Sequence, residues 1–297
     1  MRQGIVALLL LTSVSASAQT PAKTEVTANA QAAFKDIEAT LGTVPGFFKV
    51  FPESALPGAW AAMKGVQLNP QTAIPAKQKE LMGIAVAAQI PCDYCTYFHT
   101  QAARMHGATD EEIKLAVAEG SMTRFWSTYL YGAQVDMAQF KQDVDKMAMR
   151  VQRQQTAGTT SMPAMQIRDA ASARKDIEQT FGFVPAYLAG FPEDALAGAW
   201  SEMKALEMTP GPISGKNMSL TSLAVASQIP CQYCTYADTS FARAQGASER
   251  EIKEAAALAA TVRHWSTVLN GMQYDEAKFK KETDQMISAL KKKQASR

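Results

Sequence analysis

An internal repeat constrains this 297-residue chain more than any other feature. The motifs Asp-Ile-Glu, Val-Pro, Phe-Pro-Glu and Gly-Ala-Trp each return 140 positions later, so that Pro45, for example, matches Pro185. Beyond Gly211 the offset is 139, and Cys92 matches Cys231. A repeat of this length indicates two domains of similar fold, each long enough to bury its own core.

The repeat also sets the predicted domain boundaries. We expect the two copies at 28–150 and 165–290, joined by a polar linker over 151–164 that is rich in Gln and Thr. One residue is missing from the second copy in a Pro/Gly-rich loop, where deletions are best tolerated.

Helix signals occur throughout each copy. Thr109 precedes three acidic residues and an apolar stretch, which is typical of a helix N-terminus, and Ser248 repeats the pattern. Gly107 and Gly246 lie where the preceding helices are expected to end. No sustained alternation of β-branched and polar residues indicates a sheet. The predicted fold class is all-α.

The N-terminus and the overall charge bear on location and partners. Arg2 precedes an apolar run at 5–11, and an Ala-Ser-Ala site ends at Ala18, so residues 1–18 are predicted to be a signal peptide. The apolar run is shorter than the roughly 20 residues of a membrane-spanning helix. With 30 basic and 28 acidic residues the net charge is only +2, which gives no basis for nucleic-acid binding. We expect an exported protein, periplasmic or secreted, with no membrane span.

Four cysteines form two Cys-x-x-Cys pairs, Cys92 with Cys95 and Cys231 with Cys234. Each pair follows Ile-Pro and is expected to open a helix. A thiol in the first turn faces unpaired backbone N–H groups and the positive end of the helix dipole, which favour the thiolate. The spacing also allows the two sulfurs to form a disulfide.

Three other uses compete with a reactive dithiol. A c-type haem site needs His directly after the second cysteine, but Thr96 and Thr235 stand there. One zinc ion shared by both pairs would require an unusual interface between the domains. A structural disulfide in each domain fits an oxidising compartment, and for the second pair it is as good an interpretation as redox chemistry. No cofactor or metal is therefore expected.

The first pair has acid–base groups near it. His99 lies four residues after Cys95, one turn along the same helix face, where it can serve as a base for the thiol. Glu80 lies on a preceding helix predicted over 76–89. If the two helices pack antiparallel, Glu80 and His99 reach similar depth, and the small Gly83 permits close approach.

Together, Glu80, Cys92, Cys95 and His99 resemble the E-x(11)-C-x-x-C-x(3)-H signature of AhpD-like alkylhydroperoxidases in the carboxymuconolactone decarboxylase superfamily. The resemblance implies an all-helical fold, usually in homo-oligomers, with the cysteines near an interface. It also implies reduction of a small peroxide or disulfide substrate through a dithiol/disulfide cycle. The thiol reductant that would close this cycle is not identified by the sequence.

By this resemblance Cys95 is the attacking thiol, Cys92 resolves, and His99 with Glu80 relays protons through a water. Helix-terminus electrostatics would instead favour Cys92 as the thiol of lower pKa. The spacing of His99 favours Cys95. Tyr94 stands where the best-known members have His, so one element of the relay is missing.

The second copy keeps both cysteines but has Ser219 and Asp238 in place of Glu80 and His99. We expect this copy to complete a pseudo-dimer, with its cysteines as a structural disulfide or a secondary dithiol. Two alternatives to a thiol peroxidase are a non-enzymatic helical scaffold with structural disulfides and, less favoured, a lactone decarboxylase-like enzyme.

Overall fold

The computed structural model describes residues 25–156 and 166–295. The predicted signal peptide at 1–18 lies outside these residues, as does most of the predicted linker. Within the described ranges no helix is long and apolar enough to cross a membrane.

Two series of helices follow one another along the chain. The first copy contains α1 (Ala30–Leu41), a 3₁₀ helix (Gly46–Val50), α2 (Leu56–Val66), α3 (Ala76–Gln89), α4 (Asp93–Met105), α5 (Asp110–Gly132) and α6 (Met137–Thr156). The second contains α7 (Ala170–Phe181), α8 (Ala186–Ala189), α9 (Glu193–Met203), a π-helical turn (Lys204–Met208), α10 (Gly215–Gln228), α11 (Gln232–Ala244), α12 (Glu249–Gly271) and α13 (Glu276–Ala295). The described residues include no strand, which confirms the all-α prediction.

The predicted helix ends are found in the structure. Helix α3 spans the residues expected for it. Thr109 and Ser248 each accept a hydrogen bond from the third residue of their helix, and the acidic side chain at that position binds back to the cap. Gly107 and Gly246 follow α4 and α11 with φ of +79° and +84°, a left-handed conformation that favours glycine.

The repeated motifs correspond to repeated contacts. The indole N–H of Trp60 donates to Asp36 at 2.6 Å, and that of Trp200 donates to Asp176 at 2.7 Å. In each copy the lysine four residues after the tryptophan forms a salt bridge with the same carboxylate. The Asp-Ile-Glu and Gly-Ala-Trp motifs therefore recur because they form one polar network that fixes two helices.

The two copies exchange their last helices. Helix α6 of the first copy packs on α11, and α13 of the second packs on α4. Asp143 of α6 accepts a hydrogen bond from the backbone N–H of Ala186 at 2.7 Å, and Glu282 of α13 accepts one from that of Gly46 at 2.9 Å. Each copy is completed by a helix of the other, which is the arrangement of a pseudo-dimer.

The helices extend past the predicted domain limits. Helix α6 continues to Thr156, so the start of the predicted linker is helical, and α13 continues to Ala295. The division of the chain into separate domains stays a prediction, because α6 packs mainly with the copy that follows it.

Helices α3 and α10 lie at the centre of the molecule, where they contact each other and both of the long helices α5 and α12. Helix α4 contacts α12, and α11 contacts α5. The cysteine-bearing helix of each copy is thus covered by the long helix of the other copy.

Candidate functional site

The first cysteine pair lies at the N-terminus of α4, as predicted. Cys92 is the N-cap residue, and its sulfur accepts a hydrogen bond from the backbone N–H of Cys95 at 3.2 Å. The two cysteines form a disulfide and are 1% and 5% exposed. Cys231 and Cys234 form the same arrangement at the start of α11. Both copies therefore hold a buried disulfide at a helix N-terminus.

Glu80 and His99 meet between α3 and α4. Nδ1 of His99 lies 2.7 Å from Oε2 of Glu80, and both side chains are buried. Gly83, one turn along α3, makes this approach possible, because a Cβ there would lie 2.4 Å from Nδ1 of His99. The structure thus brings together all four residues of the predicted motif.

Gln67 is a further member of this site that the sequence analysis did not identify. Its Nε2 donates to Oε1 of Glu80 at 2.5 Å, and the residue is 3% exposed. With Gln67 on one carboxylate oxygen and Nδ1–H of His99 on the other, Glu80 is held as an acceptor on both sides. Nε2 of His99 is then left as the basic ring nitrogen. The available signal was the repeat, since the matching residue, Glu207, is also polar.

A cavity of about 40 Å³ lies against Cys95 and His99. Its wall is mainly apolar and comes from both copies: Phe47, Met63, Phe98, Val262, Trp265, Leu269 and Phe279. Cys92 lies outside this wall, with its sulfur 3.8 Å from Nδ2 of Asn270 on α12. Of the two cysteines, Cys95 is the one that shares a cavity with His99.

Tyr94, between the two cysteines, connects the copies. Its hydroxyl donates to the backbone carbonyl of Tyr274 at 2.5 Å, and its ring packs edge-on against Phe279. Tyr233 makes the matching bond to the carbonyl of Val135, also at 2.5 Å. Since the same contact occurs in both copies, Tyr94 has a structural role at this position.

The second copy has different groups around its cysteines. Ser219 accepts a hydrogen bond from Gln245, and Oδ2 of Asp238 is buried with no hydrogen-bond partner in the part of the chain that the structure describes. Asp238 instead lies near Glu207 and near Glu119, which extends from α5 of the first copy. Burial raises the pKa of Glu119 to about 7, and burial together with the charge of Glu119 raises the pKa of Glu207 and of Asp238 well above the usual range.

The acidic cluster is not arranged as a metal centre. Within residues 25–156 and 166–295, no group of three or more His, Cys, Asp or Glu side chains has the geometry to hold a metal ion. Each cysteine pair forms its own disulfide. In the sequence Asp238 is distinguished only by standing where the first copy has His99, and no motif marks Glu119 or Glu207.

A family model matches both copies of the helical domain, including their cysteine pairs. The model of the carboxymuconolactone decarboxylase family matches residues 55–136 and 194–277, which together are more than half of the chain. The chain therefore belongs to this family and carries two tandem copies of its domain.

Among individual proteins, an uncharacterized protein of Cupriavidus necator is 39% identical over 66 residues, or 22% of this chain. The match spans 58% of that protein's length. No solved structure matches significantly.

Proposed function

We propose that this protein is a thiol-dependent peroxidase or disulfide reductase that acts through Cys92 and Cys95. The observation that carries the proposal is the buried Glu80–His99 hydrogen bond of 2.7 Å beside a cavity that Cys95 also lines. Family membership alone is compatible with peroxidase-like or decarboxylase-like activity. A lactone decarboxylase has no need of paired thiols, so the cysteines favour the first.

Position favours Cys95 as the attacking thiol. It shares the cavity with His99, whereas Cys92 is buried outside the cavity within disulfide reach. Because Glu80 binds Nδ1 of His99, Nε2 is the nitrogen that takes the thiol proton of Cys95. Gln67 holds Glu80 in place and acts as a positioning residue.

The proposed cycle balances as follows. The Cys95 thiolate attacks the terminal oxygen of a hydroperoxide, the O–O bond breaks, and the alcohol leaves with the proton held by His99. Cys95 is then a sulfenic acid. The thiol of Cys92 attacks its sulfur, water leaves, and the disulfide forms. The peroxide gains the two electrons that the dithiol loses, and an external thiol reductant restores the dithiol by exchange.

The location and assembly of the protein belong to the same proposal. The N-terminal pattern supports export to the periplasm or beyond, where a reductant has to be supplied in an oxidising compartment. The family resemblance supports further association into homo-oligomers.

The test is turnover of an organic hydroperoxide by the pre-reduced protein, with dithiothreitol as electron donor. We expect Cys95→Ser to abolish turnover, and we expect Cys92→Ser, once reduced and freed of dithiothreitol, to consume only one equivalent of peroxide. Cys234→Ser, at the matched position of the second copy, is the control and retains turnover. If reduced wild-type protein neither consumes peroxide nor exchanges disulfides, the cysteines are structural. A first turnover that survives in Cys95→Ser but not in Cys92→Ser reverses their roles.

A further inference from the structure

A second cavity, here called the carboxylate cavity, lies in the second copy. It has a volume of about 350 Å³, within the range of roughly 300–1,000 Å³ typical of small-molecule pockets. It is lined by α7, α10, α11 and the π-helical turn of the second copy together with α5 and α6 of the first. Part of its wall is apolar: Phe181, Leu206, Ile213, Met218 and Phe241. The cavity thus has the size and wall of a site for a small organic molecule.

Three carboxylates, Glu119, Glu207 and Asp238, line this cavity, and two of them have a buried oxygen without a hydrogen-bond partner among the described residues. Oε1 of Glu119 accepts a hydrogen bond from the hydroxyl of Ser222, but its Oε2 has no partner among the described residues, although Glu119 is only 1% exposed. Oδ2 of Asp238 is also buried, and no residue in the described ranges donates to it. Glu207 forms no ion pair with any described residue. Buried acceptors of this kind are costly unless something donates to them.

The matched cavity of the first copy contains its own positive charge. Lys79 lines it, is 2% exposed, and donates to the carbonyls of Val66 and Asn69 at 3.1 and 2.9 Å. In the second copy the residue at this position is Met218. Of the described residues that line the carboxylate cavity, none is lysine, arginine or histidine. Compared with the matched cavity of the first copy, the carboxylate cavity therefore has more carboxylates in its lining and no basic side chain among the described residues.

We propose that the carboxylate cavity binds a small organic cation, whose primary ammonium group donates to the unpartnered oxygens of Glu119 and Asp238, while Glu207 adds negative charge beside them. An ammonium offers three N–H donors, and the unpartnered carboxylate oxygens are acceptors only. The alkyl part of such a ligand packs on the apolar wall. A metal ion is disfavoured because the three carboxylates do not converge with metal-ligand geometry.

Burial and mutual repulsion favour the protonated form of the carboxylates in this cavity. Burial raises the pKa of Glu119 to about 7, so this group is partly protonated near neutral pH. An ammonium ligand displaces these protons and stabilises the ionised carboxylates. The site uses neither Cys92 nor Cys95 and is independent of the proposed peroxidase function.

The test is thermal unfolding and calorimetric titration of the full chain with n-butylammonium, compared with neutral n-butanol. We expect butylammonium to raise the unfolding temperature in a saturable way, as a ligand of the native state does, and butanol not to. Glu119→Gln and Asp238→Asn each lower the affinity at least about tenfold, the loss of one charge-assisted hydrogen bond. Both are isosteric and relieve charge repulsion, so they are expected to fold. Glu202→Gln, an exposed carboxylate on α9, is the matched control and binds as wild type.

Four results overturn the proposal. One is the absence of any stabilisation by butylammonium. Another is equal stabilisation by butanol, which would show apolar binding only. A third is unchanged binding in Glu119→Gln and Asp238→Asn. The last is stabilisation by calcium chloride that depends on the same two residues, which would make the site a metal site.

Discussion

The two copies share a frame and differ in what surrounds their cysteines. Four features occur in both copies: the tryptophan–aspartate hydrogen bond, the capped N-terminus of the long helix, the tyrosine hydroxyl that donates to a carbonyl of the other copy, and the disulfide. At the positions next to the disulfide, the first copy has Glu80 and His99 whereas the second has Ser219 and Asp238. Contacts that hold the helices together are thus kept in both copies, and groups that determine reactivity are kept in one.

The two copies also differ in how many hydrogen bonds their buried carboxylates accept. Both oxygens of Glu80 accept hydrogen bonds, from His99 and from Gln67. Glu119 and Asp238 each have a buried oxygen to which no described residue donates a hydrogen bond. A satisfied buried network stabilises a fold and fixes geometry, whereas an unsatisfied one costs stability until a ligand or a proton supplies the missing donor.

The largest effect is expected when the first copy receives the residues of the second. Glu80→Ser combined with His99→Asp removes the general base, and we expect peroxide turnover to fall roughly 10²–10⁴-fold. Steady-state kinetics with the pre-reduced protein measure it. Ser219→Ala, at the position matching Glu80, serves as control and retains turnover. Wild-type rates in the double variant would show that the cysteines need no acid–base partner.

The pH dependence of stability separates the two buried carboxylates. Glu119 has a folded-state pKa of about 7, above the ordinary 4.5, so the native state binds the extra proton and stability falls as pH rises from about 4.5 to 7. Glu119→Gln should reduce this slope, leaving the part that Glu207 and Asp238 contribute, and raise the free energy of unfolding near pH 8 by on the order of 3 kcal/mol. Glu80→Gln, which replaces a carboxylate that accepts hydrogen bonds from both Gln67 and His99, should lower it. Chemical denaturation at several pH values measures both. If Glu119→Gln lowered the free energy of unfolding at pH 8, the buried, ionised Glu119 would not be destabilising as we infer.

Gly83 tests how tightly α3 and α4 must approach in the first copy. Gly83→Ser introduces the residue found at the matching position 222. Its Cβ would lie 2.4 Å from Nδ1 of His99, so the ring must move, and we expect a loss of about 1–3 kcal/mol in the free energy of unfolding together with slower turnover. Gly58→Ser on α2, where a Cβ meets nothing within 4 Å, is the control. Equal behaviour of the two variants would mean that the ring has room to shift.

The smallest effect is expected to be equal in the two copies. Tyr94→Phe and Tyr233→Phe each remove one hydrogen bond between copies, and each should cost about 1 kcal/mol without changing turnover. Denaturant unfolding and peroxide kinetics on both variants check this. A slower rate in Tyr94→Phe alone would assign its hydroxyl to the proton relay.

Much of the fold and of the first site could be predicted from local helix-capping motifs and from the sequence repeat. Capping residues marked the start of α5 and α12, and the repeat indicated two similar halves. The rise per residue of an α-helix predicted that Glu80 and His99 lie at similar depth, because they are on adjacent helices joined by a short turn. These inferences need only short separations along the chain.

What escaped prediction depends on long-range packing. Gln67 lies just past α2 in no motif, and Glu119 reaches the second site from the other copy. The exchange of α6 and α13 was equally hidden, because an amphipathic pattern shows which face of a helix is buried but not which partner buries it. The roles of Gln67 and Glu119 and the exchange of the two helices become visible only when the three-dimensional packing is known.

The covering of each cysteine helix by the other copy has a consequence for how the two sites can diverge. In a symmetric dimer of separate chains, one substitution on the long helix would alter both sites at once. In a single chain the matched positions, Thr123 beside Cys234 and Val262 beside the cavity of Cys95, are independent. Each half can therefore tune the other's chemistry without altering its own, so that one covalent chain behaves as a heterodimer of fixed one-to-one composition.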